Sequence, residues 1–329
     1  MTNRKALIVG IDNYPQGQLR CCVNDANAVA DLLEYNYDGS KNFEIITLLD
    51  EEATESNIKE RLNQVFDDDT DTGLFYFSGH GSPLGAKNAQ LVTYDYFVRN
   101  DGLDFNELNE ILANSRCKNK IVILDCCFSG MIGNDSFAEG ISRLSKGTTI
   151  LAACREKETA EEYGEHGIFT NLFVYALGGG SSDIFGRVTP ASIYSYIDSC
   201  LGGFEQRPLF KSYVATFVTL RQCEPKMTQR EIRTIAKLFE NGDSKYKLDP
   251  SYEPKNYEGS TEIAPSDSKP PYCTKEHVRI FELLQKANRN GLIVPSNQKH
   301  MYYAAIHGDT CQLTDLGIQY WLLATKKII

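Results

Sequence analysis

The chain has 329 residues, 42% hydrophobic and 24% charged, with a formal net charge of −10, which is ordinary for a folded protein with one large core and a smaller appendage. No stretch reaches the ~20 apolar residues that a membrane helix needs, and "MTNRKALIVGID" runs into a strand-like pattern without the features of a secretion signal, so a cytoplasmic protein with no membrane partner is expected. The acidic balance argues against nucleic acid as a partner, and ten cysteines, several inside apolar runs (Cys126, Cys154, Cys200), fit reduced thiols.

In chain order, "ALIVGID" predicts a short aliphatic strand and "DANAVADLLEYN" a helix with Asp25 at its N-cap. "FEIITLL" then predicts a strand, and "TESNIKERLNQVF" a helix opened by Thr54. The acidic run Asp67 to Gly73 turns the chain into "GLFYFSGHG", and "KIVILDCC" repeats that pattern of an apolar strand ending in polar residues. "TTILAAC" follows as a fifth strand, "GIFTNLFVYALGGG" and "TPASIYSYIDSCL" as helices, and "YVATFVTL", near Phe217, as a sixth strand. Such alternation predicts an α/β domain over residues 1–222, with a mostly parallel six-stranded sheet and flanking helices.

Residues 223–273 are rich in Pro, Gly, Ser and Asp without apolar period, and predict an irregular linker. A helical pattern resumes in "EHVRIFELLQKANRNG", followed by "LIVP", "HMYYAAI" and "LTDLGIQYWLLATKK". Residues 274–329 therefore predict a small, mostly helical module, winged-helix-like in its three helices. It carries seven Lys/Arg against four Asp/Glu, a net +3 that leaves −13 on the remainder.

Open α/β sheets place ligands at the carboxyl ends of their strands. Two such ends carry reactive groups: "FYFSGHG" delivers His80 between glycines, and "ILDCCFSG" delivers Cys126 and Cys127, 47 residues after His80 in the case of Cys127. A cysteine nucleophile needs a nearby base to favour its thiolate, and a histidine on a neighbouring strand end supplies one. The other histidines are less suggestive. His166 lies in an acidic loop with Glu158, Glu161, Glu162 and Glu165, bordering a cleft or simply solvated, and His277, His300 and His307 lie in the terminal module, where core or surface roles are the default.

"YFSGHG" and "DCCFSG" resemble the histidine and cysteine motifs of the caspase-like cysteine peptidases of family C14, specifically the metacaspase and prokaryotic caspase-homologue branch. The resemblance spans about residues 4–222 and takes in "KALIVGIDNY" and "LRCCVNDA". The histidine-to-cysteine spacing is near the ~50 residues of caspases. The resemblance implies a caspase-like sandwich with Cys127 as nucleophile, His80 as base and Cys126 turned into the core. The backbone N–H groups of Gly81 and Cys127 are implied as the oxyanion hole. Phe128 stands where the branch often has His, and the Gln-Ala-Cys-x-Gly pentapeptide of true caspases is absent, so aspartate specificity is not implied.

The resemblance also implies that Asp25, Ser78 and Asp125 line the pocket for the residue before the scissile bond. Paired carboxylates suit a guanidinium, then an ammonium, so the expected partner is a protein substrate with an exposed Arg or Lys. Asp25 as a mere cap and Asp125 as a turn residue are the competing readings. No cofactor is required. By the same resemblance, calcium is a candidate activator with Asp95, Asp101 and Asp104 as ligands, against the alternative of a solvated acidic loop. Arg143 and Lys146, between the nucleophile strand and the next, are candidate autocleavage sites.

The leading expectation is an Arg/Lys-directed endopeptidase working through an acyl-enzyme in bacterial signalling or antiviral defence. The alternatives are a catalytically silent signalling adaptor, or a regulator that uses the C-terminal module to bind DNA or a partner such as an activating protein.

Overall fold

A computed structural model of the chain describes residues 3–84, 88–99, 102–127, 129–132, 142–153, 162–163, 166–201 and 208–329. It contains two compact units, Met1–Glu224 and Pro225–Ile329.

The first unit is built on β1 (Arg4–Gly10), β2 (Glu44–Leu49), β3 (Thr72–Ser78), β4 (Asn119–Asp125), β5 (Thr148–Ala152) and β6 (Leu209–Tyr213). They form one sheet in the order β6-β5-β4-β3-β1-β2, parallel except for β6. Helices α1 (Cys22–Glu34), α2 (Glu55–Val65), α3 (Phe105–Asn114), α4 (Ile168–Tyr175) and α5 (Pro190–Cys200) cover it. Strand β3 is buried at all seven positions, because a parallel sheet with helices on both faces has no wet side and so needs continuous apolar sequence.

Successive residues still alternate between faces. Leu7, Val9, Phe75, Phe77, Val122 and Leu124 pack on the α2 and α3 side. Ala6, Ile8, Leu74, Tyr76, Ile121 and Ile123 pack on the α1, α4 and α5 side. By this alternation Ser78 and Asp125, paired in register at the carboxyl ends of β3 and β4, continue the second face.

The sixth strand is displaced from the predicted one. It ends at Tyr213, and the stretch around Phe217 is irregular. Phe217 folds back so that its ring lies 5.8 Å from that of Phe210. Its apolar run reported packing against the sheet's edge rather than pairing within it. The cap of α1 also differs: Asp12, not Asp25, accepts the N–H groups of Cys22 and Val23, at 2.8 and 3.1 Å. Thr54 caps α2 as expected, accepting from Asn57 at 3.3 Å.

The second unit contains α6 (Gln229–Ala236), β7 (Lys245–Lys247), α7 (Lys275–Arg289), β8 (Ile293–Pro295), α8 (Met301–Ile306), β9 (Thr310–Leu313) and α9 (Asp315–Thr325). Its strands form an antiparallel sheet in the order β7-β9-β8, so the unit is helical with a small sheet. Residues 225–273, expected as a linker, belong to it. Thr228 and Glu231 form a capping box on α6, and β7 pairs with β9. The fully buried Asn256 donates to the carbonyls of Pro250, Lys269 and Pro271, which gives the Pro/Ser-rich stretch a fixed course. Trp321 of α9 donates its indole N–H to the carbonyls of Ala236 and Phe239, at 3.2 and 3.1 Å. No helix among the described residues is long and apolar enough to cross a membrane.

Candidate active site

The carboxyl ends of β1, β3 and β4 bring Gly10, Ser78 and Asp125 side by side. A Cβ added at Gly10 would lie 2.4 Å from the Cys22 carbonyl oxygen and 2.8 Å from Ala26 Cβ. The glycine thus lets α1 press onto the strand end and carries Asp25, 1% exposed, to the row's edge. Ser78 Oγ donates to Asp25 Oδ2 at 3.4 Å, and the Gly167 N–H donates to the same oxygen at 3.3 Å. Asp125 Oδ2 accepts from the hydroxyl of Thr170 at 2.7 Å and from its N–H at 3.3 Å. Gly167 stands between the two acids: a Cβ there would lie 2.8 Å from Asp125 Oδ2 and 3.4 Å from Asp25 Oδ2.

These acids share a cavity of about 130 Å³ with His80 and Cys127, its wall completed by Leu19, Cys21, Cys22, Ser78, Gly79 and Gly167. Cys126 is fully buried in the α2/α3 core, whereas Cys127 is half-buried at the cavity. The period of two along the strand end separates the adjacent thiols. Burial pushes the Cys22 thiol far above the ordinary thiol range, the Asp12, Asp125 and Asp25 carboxylates add to that shift, and its bond with Ser78 opposes it. A thiol so held is neutral and acts as pocket wall.

His80 is gripped from three directions. Its N–H donates to the Tyr14 hydroxyl at 3.1 Å, and its carbonyl accepts from Val92 at 2.9 Å. Its imidazole lies 4.8 Å from the Tyr14 ring, centroid to centroid. Nε2 sits 2.5 Å from the Gly17 carbonyl oxygen. A carbonyl only accepts, so this contact assigns the hydrogen to Nε2 and leaves Nδ1 as the basic nitrogen. Gly17 adopts a positive φ of 73°, the conformation in which glycine is unstrained. At Gly81 a Cβ would lie 2.0 Å from the Cys127 carbonyl oxygen, so the chain after His80 passes the Cys127 backbone only because Gly81 has no side chain.

Among the remaining sequence candidates, Asp95 accepts from the Glu55 N–H and the Thr93 hydroxyl, at 3.0 and 2.8 Å. Asp104 caps α3 and accepts from Asn88 at 2.7 Å. Both are tied into the fold, Asp101 lies outside the described residues, and no group of three metal-ligating side chains converges among the described residues. Arg143 and Lys146 are exposed. Cys200 is exposed too, rather than inside an apolar run, and Cys154 lies outside the described residues. Phe128, Glu158, Glu161 and Glu165 and the side chains of Glu162 and His166 likewise lie outside them. His277 stacks on Tyr252 with ring centroids 4.2 Å apart and bonds Ser251, while His300 and His307 lie against Tyr303.

Sequence reasoning missed Tyr14, Gly17, Gly167 and Thr170. Tyr14 closes the quoted "GIDNY" and carried a signal there, whereas the other three become visible only when distant segments meet.

The caspase-domain model of the Peptidase C14 family matches residues 3–217. The crystal structure of a Geobacter sulfurreducens protein superimposes with a TM-score of 0.51 at 16% identity, over 68% of this chain and 98% of that one. Caspase-1 from Spodoptera frugiperda superimposes with a TM-score of 0.49 at 14% identity, over 68% and 91% of the two chains. No curated protein matches the sequence. A strand-end Cys and His on a six-stranded sheet, and a family match over about two-thirds of the chain, lead to one assignment: the chain belongs to the caspase-domain family of cysteine-type peptidases.

Proposed function

We propose that the protein is an endopeptidase that cleaves after Arg, and less readily after Lys, with Cys127 as nucleophile and His80 as acid and base. The observation that carries the specificity is the approach of Asp25 and Asp125 to one point, Gly167, in the wall of the cavity that His80 and Cys127 also line. A guanidinium meets a pair of carboxylates with paired, charge-assisted hydrogen bonds.

In this reading the thiol proton of Cys127 passes to Nδ1 of His80, and the sulfur attacks the carbonyl carbon after the bound Arg. The oxyanion that forms is met by the N–H groups of Gly81 and Cys127. As the tetrahedral centre collapses the C–N bond breaks, and the imidazolium gives its proton to the departing amine. Water, deprotonated by the same nitrogen, then attacks the thioester, releases the carboxylate and restores the thiol. Cys22, neutral at the wall, leaves the thiolate role to Cys127.

The test is an activity screen on reporter peptides ending in Arg, Lys or Asp, with and without calcium, on the wild type and Cys127→Ala. Cleavage after Arg and Lys that vanishes in the variant is expected. Efficient cleavage after Asp would overturn the acidic pocket, and wild-type activity in Cys127→Ala would overturn the nucleophile.

A further inference from the structure

We infer that Thr170 is a positioning residue for specificity, one that orients the Asp125 carboxylate to favour arginine over lysine; the inference rests on the acidic-pocket reading above. Three side chains from separate elements form a buried chain here. The Tyr76 hydroxyl of β3 lies 2.6 Å from Thr170 Oγ1 of α4, which lies 2.7 Å from Asp125 Oδ2 at the end of β4. Tyr76 and Thr170 are fully buried, and Asp125 is 6% exposed.

The direction of the chain follows from chemistry. A carboxylate only accepts, so the single Thr170 proton goes to Asp125, and the Thr170 oxygen in turn accepts from Tyr76. The Thr170 N–H, in the first turn of α4, donates to the same carboxylate oxygen at 3.3 Å, where the helix end also favours negative charge. Two donors from one residue on one oxygen fix the plane of the carboxylate as well as its position.

That plane matters more to one substrate than to the other. A guanidinium is a rigid fork that pairs with a carboxylate only when the two are coplanar, whereas an ammonium is a compact cation with rotatable donors. Removing the hydroxyl that holds the Asp125 carboxylate in this plane should therefore weaken arginine binding more than lysine binding, with the groups at Cys127 and His80 untouched.

Thr170→Val keeps the shape and removes the hydroxyl. With Arg- and Lys-ending peptides, KM for Arg should rise about tenfold, as expected for losing a hydrogen bond to a charged group, with a smaller rise for Lys. The Arg-over-Lys ratio should fall accordingly, kcat should hold, and Thr170→Ser should restore the ratio. Tyr76→Phe, which removes only the outer donor, should shift the ratio the same way by less, and it serves if the valine variant does not fold. Asp125→Asn is measured alongside. If it raises KM for Arg while Thr170→Val and Tyr76→Phe leave the Arg-over-Lys ratio unchanged, the inference falls and the acidic pocket stands. An Asp125→Asn enzyme with wild-type KM for Arg overturns both. A Thr170→Val enzyme that loses kcat equally on both peptides at unchanged KM marks a merely structural role and also overturns the inference.

Discussion

The Tyr14 hydroxyl accepts the backbone N–H of His80 and donates to the Val92 carbonyl, so one buried oxygen ties the histidine to the segment at Val92. Tyr14→Phe keeps the ring against the imidazole but leaves both groups short of a partner. Stability should fall by about 1–3 kcal/mol, and kcat should fall several-fold with KM nearly unchanged, since the substrate pocket is not touched. Steady-state kinetics and denaturant melts measure the two effects.

Cys127→Ala and His80→Ala should each abolish cleavage and leave the melting temperature close to wild type, because both residues lie beyond the ends of their strands. Cys126→Ala should do the reverse: it removes a fully buried sulfur from the α2/α3 core, and a lowered melting temperature with substantial residual activity is expected. Activity surviving at 127 and lost at 126 would place the nucleophile one residue earlier.

Asp25→Asn should raise KM for Arg peptides steeply, since truncating one member of a buried, hydrogen-bonded charge pair weakens binding by about 2–5 kcal/mol. The helix should survive, as its N-terminal N–H groups are held by Asp12. Circular dichroism beside the kinetics distinguishes loss of binding from loss of helix.

Cleavage within the connection before β5 should fall after Arg143 in preference to Lys146. Lys146 sits in a turn closed by the Thr148 N–H on the Ser145 carbonyl, with Gly147 at φ 83° and so close to Lys118 that a Cβ would lie 2.1 Å from its carbonyl oxygen. Arg143 is exposed outside any strand or helix, and a protease cleft needs extended chain. Sequencing of new N-termini after incubation should find Leu144 first, and a chain beginning at Gly147 would reverse the order.

In the second unit, burial raises the Cys311 thiol from 9.0 to about 12. The unfolded chain therefore releases this proton first, and the stability that the neutral thiol contributes is full below pH 9 and lost as pH climbs towards 12. Cys311→Ala should start lower and decline less over that interval. Denaturant melts at stepped pH compare the two slopes, and parallel slopes would contradict the assignment.

The strands whose apolar runs fill both sheet faces, such as Phe75 to Phe77, were legible because burial on two sides leaves no room for polar residues. The edge strand β6 was not, since an edge is specified by one partner and Phe210, Lys211 and Ser212 read as nothing in particular. The short β7 and the loop around Asn256 were hidden for a related reason. Their order comes from a handful of hydrogen bonds rather than from periodicity, and a Pro/Ser-rich composition looks the same whether or not one asparagine gathers it. At the site, Asp25 was visible as an acid but its cap function belongs to Asp12, and the roles of Gly17 and Thr170 depend on contacts across 63 and 45 residues of chain.

The alternation of side chains across the sheet has a further consequence for how such an enzyme can change. Tyr14, which accepts the His80 N–H, and Cys126, next to Cys127, belong to the α2/α3 face. Tyr76 and the helices that bring Asp25 and Thr170 belong to the opposite one. With the proposed roles of Cys127, His80, Asp25 and Asp125, turnover and substrate choice would be supported by separate halves of the interior, divided by a sheet. On that function, substitutions accumulating under α1 and α4 would retune what is cut, those under α2 and α3 would retune how fast, and lineages would drift along either axis with little interference from the other.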